Sequence, residues 1–343
     1  MNHDHGYSVK GDILSHAMDL SGVTPDEDCG SSTATTKKRD ILSIAMDVSG
    51  VSGDADSDTD SATESEFEID IHDSISRPDS TARDDGLKNL GNTCYINSIL
   101  QALFHSSTFR CEVLSLEGKP THPIVLQRLQ QVFKSLSSNE CKEKKTENLK
   151  LFNQVSRPDS FVNGQQQDCC EFLNHLLVTI QQQAEVSSTE NVAQSFLSSR
   201  TISLECTVCN TVSDRIESFY DLQLALLDTD SKEKIKIKDL LDEYLKPEIM
   251  DGENEVNCSN CGFNTVTKRQ VRIVSHPVCL IVSLKLFKYN STSRNTEKKM
   301  IDVKYTQYLK LQGLDGYQSY QLFAVIIHSG PTLNSGHYYS WVR

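Results

Sequence analysis

Two pairs of cysteines restrict this 343-residue chain more than any other feature. Cys206-Thr-Val-Cys209 and Cys258-Ser-Asn-Cys261 are C-x-x-C pairs with 48 residues between them. Each pair offers two thiolates at knuckle spacing, and two pairs complete a tetrahedral sulfur shell for Zn²⁺. Asn260 and Gly262 suit the tight turn that wraps a metal. A single pair would leave a redox role open; two pairs, each beside a strand-like stretch, favour a metal over four unrelated thiols. All four positions are filled by protein, so the site reads as closed and structural. It would pin the tips of long strands that have no core of their own.

Charge is distributed unevenly. Residues 1–85 hold 20 acidic against 6 basic side chains, and the remainder holds 27 against 28. The net charge of −13 therefore belongs to one tail, and the body shows no overall preference for nucleic acid or a membrane surface. No run of apolar residues is long enough to span a bilayer, and MNHDHGYSVKGD carries no apolar secretory stretch. Eleven cysteines without such a signal point to a reducing compartment, cytoplasm or nucleus, where thiols serve metals or catalysis.

The tail is rich in Ser, Asp and Glu over VSGDADSDTDSATESEFEIDIHDS, so residues 1–85 are expected to be disordered. Within it DILSHAMDLSGV (12–23) recurs as DILSIAMDVSGV (40–51). As a helix, Leu42, Ala45, Met46 and Ser49 share one face, as do Leu14, Ala17, Met18 and Ser21. The pattern resembles the ubiquitin-interacting motif, without its acidic run upstream and with Gly22 and Gly50 cutting the helix short. A pair of partner-binding helices is the expectation.

From Gly86 the pattern becomes globular. Residues 94–105, 123–136 and 168–185 read as helices, and 137–150 as a solvated loop. After about residue 196 strands dominate, through TISLEC, TVSDRIESFYDLQLAL, VTKRQVRIVSHPVCLIVSLKLFKY, SYQLFAVIIH and YYSWVR. Helices first and strands later give an α+β domain with a site where the halves meet. In GLKNLGNTCYINSILQALF, Cys94 follows Asn92 and Thr93, two residues that cap helix starts. It opens an apolar-periodic helix whose positive end favours a thiolate. Cysteine catalysis needs a base distant in sequence, and of ten histidines His328 and His337 stand nearest a strand and turn that could aim one. His337 follows Ser335-Gly336 directly before a strand; His328 is the more easily buried.

GLKNLGNTCYINSILQALF resembles the cysteine box of the ubiquitin-specific proteases, the papain-like deubiquitinating cysteine peptidases, and YQLFAVIIHSGPTLNSGHYYSWV resembles their histidine box. GQQQDCCEFLNHLL is similar to their Gln-Gln-Asp segment, and the C-x-x-C pairs lie where that family carries zinc-bearing fingers. The resemblance runs over residues 86–343 and implies a thumb–palm–fingers fold. It implies Cys94 as nucleophile toward the carbonyl after ubiquitin's terminal glycine, and His337 as its base. It further implies Asn89 as an oxyanion donor and Asp168 as the contact for ubiquitin's basic tail, although Asp168 also reads as a helix N-cap. Ubiquitin and ubiquitinated proteins are the partners so implied, structural zinc the only cofactor, and a monomer the expected state.

One departure from the family pattern stands out. The Asp or Asn that orients the histidine normally lies in the strand after the histidine box, and this chain ends six residues after His337. The sequence therefore reads as a catalytic domain truncated at its C-terminus. Loss of such an orienting group costs about 10⁴ in rate in comparable triads. The alternative to an active isopeptidase is thus a catalytically impaired ubiquitin-binding scaffold.

Overall fold

The computed structural model describes residues 39–44, 68–69, 86–116, 123–138, 140–162, 164–187, 191–226, 235–290, 295–298, 303–332 and 335–342. For 39–44, 68–69, 287–290, 295–298 and 331–332 it describes the backbone only. These residues fall in one compact unit, Lys38–Arg343. The disordered-tail reading and the repeat at 12–23 lie outside the described residues.

Five helices come first. They are α1 (Cys94–His105), α2 (Ser107–Ser115), α3 (Ile124–Ser137), α4 (Lys142–Ser156) and α5 (Cys169–Ser187), and the short α6 (Ile237–Leu245) comes later. The sequence places α1, α3 and α5 correctly but assigns 137–150 to a loop. Helix α4 occupies most of that stretch because Leu149, Phe152, Asn153 and Ser156 form a narrow buried stripe beneath a polar exterior.

Ten strands make one sheet. They are β1 (Arg39–Ile44), β2 (Ser198–Cys206), β3 (Val212–Phe219), β4 (Asp221–Ala225), β5 (Glu248–Met250), β6 (Thr267–Ser275), β7 (Cys279–Lys285), β8 (Tyr308–Gly313), β9 (Gly316–Thr332) and β10 (Ser335–Val342). The order across the sheet is β3-β2-β6-β8-β9-β1-β7-β4, with β10 on β9 and β5 on β6.

Strands β7 and β9 read as unbroken apolar runs because both faces of the sheet are covered. Cys279 and Ile281 of β7, with Ala324 and Ile326 of β9, pack under the helices in a core with Ile99, Leu103 and Phe172. Leu280, Val282 and Leu284, with Leu322, Val325 and Ile327, face a second core that includes Leu240 and Leu241 of α6. Strands β2, β3 and β6 run beyond this double layer. Side chains of β3 are mostly exposed, and cross-strand pairs such as Arg200–Glu217 (3.0 Å) and Arg269–Glu248 (3.0 Å) line the extension. The helical thumb, central palm sheet and extended fingers implied by the resemblance are all present.

Strand β1 falls at the start of the repeat at 40–51. Arg39–Ile44 runs parallel to both β7 and β9, with a bulge between Ile41 and Leu42. Over these six residues tertiary pairing decides the conformation, since a slot between two open ladders pairs a short strand on both edges. Removing residues 1–45 is expected to lower the urea midpoint by the equivalent of about 3 kcal/mol, at roughly 1 kcal/mol per net hydrogen bond lost. An unchanged midpoint would show that β1 does not hold the sheet together.

Candidate active site

The turn before α1 is built around Asn89. Its Oδ1 accepts from the Gly91 amide (3.2 Å), the Thr93 amide (3.0 Å) and the Thr93 hydroxyl (3.2 Å). Gly91 (φ 99°) and Asn92 (φ 51°) both sit in the left-handed region, which Gly enters without strain and Asn tolerates. Asn92 Nδ2 donates to Gly164 O (2.8 Å), tying this turn to the loop that precedes α5. Asn97 Nδ2 donates to the carbonyls of Leu87 and Lys88 (3.2 Å each) and holds the incoming segment on α1.

Thr93 is the N-cap by position, yet its side chain makes no capping bond. Its hydroxyl instead accepts from the Leu90 amide (2.9 Å). The first-turn amides of α1 therefore have no side-chain cap and remain available to an anion at the helix end. Cys94 is the first residue of that turn and is 5% exposed.

His337 lies near the start of β10, paired with Ser329 of β9. The β9–β10 hairpin narrows just before it. A side chain at Gly336 (φ 142°) would run into the Ser329 carbonyl oxygen and come within 2.6 Å of His328 Nε2. His328 itself is fully buried and packs on Tyr338 with ring centroids 4.6 Å apart and planes tilted by 40°, which makes it the packing residue of the two. The Gly336→Ala substitution is expected to open this hairpin, displace His337 and cut turnover about 100-fold with a modest fall in Tm. Turnover matching the parent would show that the narrow hairpin does not aim the histidine.

A cleft of about 350 Å³ brings together Asn89, Cys94, Asn97, His337 and Tyr338. The nucleophile, base and oxyanion candidates read from the sequence thus converge, from two segments more than 240 positions apart. Sequence reasoning missed Gln166. This side chain is 6% exposed, and its Nε2 donates to Cys94 Sγ at 3.6 Å. Only its place in the Gln-rich run before Asp168 hinted at a role.

Asp168 fulfils the capping alternative. Its Oδ1 accepts from the amides of Cys170 (2.6 Å) and Glu171 (3.1 Å) at the start of α5. It also lines a separate groove of about 880 Å³ with Cys170, Glu171, His175, Tyr220 and Asp221. Three carboxylates against the one cation Lys285 give this groove a net acidic character. Burial lowers the His175 pKa against the opposing charges of Asp159 and Glu171, and raises that of Tyr220 to about 12.

The four finger cysteines meet at one point. Their sulfurs all lie within 4.8 Å of one another, with Cys206–Cys261 at 3.9 Å and Cys209–Cys258 at 3.6 Å. A tetrahedron with metal–sulfur bonds of about 2.3 Å has edges of about 3.8 Å, so these thiols fit a tetrahedral thiophilic cation. Both knuckles form, the second with Gly262 at its turn as expected, the first with Asn210, and Asn260 is not left-handed. Asn210 N–H bonds to Cys206 O (2.9 Å) and Gly262 N–H to Cys258 O (2.8 Å), with Asn210 (φ 58°) and Gly262 (φ 77°) left-handed.

Comparison with known proteins agrees with this geometry. The family described as "Ubiquitin carboxyl-terminal hydrolase" matches residues 85–343. "Ubiquitin carboxyl-terminal hydrolase 26" of Oryza sativa subsp. japonica is 31% identical over 280 residues, which is 77% of this chain and 25% of that protein. "Ubiquitin carboxyl-terminal hydrolase 12" of Salmo salar is 28% identical over 291 residues, covering 75% of this chain and 77% of the relative. The chain thus spans only about a quarter of the rice protein's length. Among solved structures, the SAGA Ubp8/Sgf11/Sus1/Sgf73 DUB module bound to ubiquitin aldehyde shares the fold. Its TM-score is 0.63 at 22% identity, over 75% of this chain and 61% of that one.

Proposed function

Because this chain belongs to the ubiquitin carboxyl-terminal hydrolase family, we propose that it is a thiol isopeptidase that removes ubiquitin from modified proteins. The observation that carries the reading is the single cleft that joins Cys94, His337 and Asn89. In this mechanism His337 takes the Cys94 proton, and the thiolate attacks the carbonyl carbon of ubiquitin's C-terminal glycine. The imidazolium then returns that proton to the departing lysine amine. Water, deprotonated by His337, hydrolyses the thioester and frees both ubiquitin and Cys94.

Three features support this division of labour. Asn89 accepts through Oδ1 alone, so its Nδ2 is left to donate to the oxyanion beside the uncapped amides of α1. Gln166 donates to the Cys94 sulfur at 3.6 Å and fixes its position in the cleft. The acidic groove of Asp168, Glu171 and Asp221 suits a basic peptide tail. Zn²⁺ is the cation proposed for the finger cysteines, where it supplies structure and takes no part in the reaction.

A ubiquitin probe with a C-terminal electrophile tests the reading directly. A covalent adduct on Cys94, lost in Cys94→Ala, is the expected result. A folded chain that forms no adduct would sink the proposal, and adducts on a SUMO probe in place of ubiquitin would redirect it.

A further inference from the structure

Strand β3 ends the sheet, and among the described residues its outer edge pairs with no strand. Its inner edge runs antiparallel to β2 without a bulge, from Val212 opposite Glu205 to Phe219 opposite Ser198. One step beyond, Cys206 N–H donates to Thr211 O (3.0 Å), so bonded and unbonded pairs alternate from that point. Val212, Asp214, Ile216 and Ser218 fall at the unbonded pairs. Their amides and carbonyls therefore point outward, as a row of open donors and acceptors.

Solvated edges are commonly blunted by lysine, proline or a bulge, and β3 has none of these. Ile216 is 70% exposed, between Arg215 and Glu217. The charges along this edge carry both signs, and their order selects one way for the strand to meet itself. Two copies related by a two-fold axis place one residue opposite itself, and backbone bonding restricts that residue to the four that point outward. Centring on Val212 or Ser218 overlaps only the strand ends, and centring on Asp214 sets two like charges face to face. Centring on Ile216 overlaps the strands from Ser213 to Phe219. It places Ile216 against Ile216, Asp214 against Ser218, and Arg215 against Glu217 on both sides of the axis.

We propose that β3 pairs antiparallel with β3 of a second copy of this chain, centred on Ile216, to form a reversible dimer. Arg215 and Glu217 already pair within one strand (3.3 Å), and each turns instead to its opposite number across the axis. Arg200 of β2 holds Glu217 from the inner side (3.0 Å), so that carboxylate is in place before the copies meet. The fingers of both copies then share one continuous sheet. A single eight-residue edge makes a small interface, so the dimer forms at micromolar concentration or above. Dilution returns the monomer that the family resemblance implies. The pairing does not depend on the isopeptidase reading.

Sedimentation of the full-length chain from about 1 to 200 μM is expected to show a mean mass rising towards that of two chains. Ile216→Pro removes the central donor but breaks no bond to β2, because that amide faces outward. It is expected to stay at the mass of one chain throughout. Arg215→Glu sets like charges opposite each other and is expected to behave the same way. Equal parts of Arg215→Glu and Glu217→Lys, each with the parent's circular dichroism, restore opposite charges at both contacts. That mixture is expected to recover a dimer that neither variant forms alone. A parent that stays at one chain, a dimer that survives either Ile216→Pro or Arg215→Glu, or a mixture that stays monomeric would each overturn the pairing. Assembly beyond two chains would overturn it too, since a two-fold contact closes at two.

Discussion

Cys94→Ala is expected to lower the hydrolysis of a ubiquitin reporter by about 10⁴-fold or more, while ubiquitin binding stays near that of the parent. The Cys94 sulfur is the strongest nucleophile among the described residues of the cleft, and the side-chain amides of Asn89, Asn97 and Gln101 beside it can only polarise a carbonyl or position water. His337→Ala is expected to be nearly as damaging, because nucleophile and base act as one unit and their losses do not add. Asn89→Ala should cost about 10²–10³ in kcat, the usual effect of removing one oxyanion donor. Gln166→Ala carries a more telling signature. Its amide donates to the Cys94 sulfur at 3.6 Å, so its removal should free the sulfur to turn and slow Cys94 labelling by the ubiquitin probe about tenfold. A Cys94→Ala protein that still turned over would place the chemistry elsewhere, and an unchanged labelling rate would reduce Gln166 to packing.

The parts of this site that sequence reveals are those whose signal is local. Helix α1 is legible to the residue because its apolar period begins at Cys94 and its polar turn precedes it directly. The two knuckles are legible because metal spacing is written into four cysteines, and of the turn residues Gly262 was legible while Asn210, left-handed in the first knuckle, was not. What sequence hides depends on distant partners. Gln166 matters through a sulfur 72 positions away, and nothing in its neighbours distinguishes it from Gln165 or Gln167. Helix α4 was obscured by KEKKTE, whose charges face solvent while Leu149 and Phe152 do the burying. Strand β1 is the sharpest case. Its residues alternate well enough for a strand and repeat well enough for a helix, and only the slot between β7 and β9 decides.

Loss of the finger metal should produce the largest structural effect. Strands β2, β3 and β6 leave the double-layered core, and beyond it backbone ladders and exposed ion pairs such as Lys268–Glu205 (3.8 Å) hold their outer ends. Partly exposed pairs of this kind contribute about 0–1 kcal/mol each. A structural zinc contributes far more, with apparent binding of about 10–16 kcal/mol in small zinc-finger peptides at pH 7. The purified protein in zinc-free buffer is therefore expected to retain one zinc per chain, lost when Cys206 and Cys258 become Ser. Amide exchange over 200–219 and 248–272 should then accelerate by at least 100-fold, while α5, β7 and β9 keep their protection. Acidification should act in the same direction, since each ligand must be a thiolate and protons compete with the metal. Reporter hydrolysis should fall with the fingers, through KM more than kcat, because the metal lies away from the Cys94 cleft. A metal-free chain with unchanged exchange would show that the strands stand unaided and that the four cysteines meet for another reason.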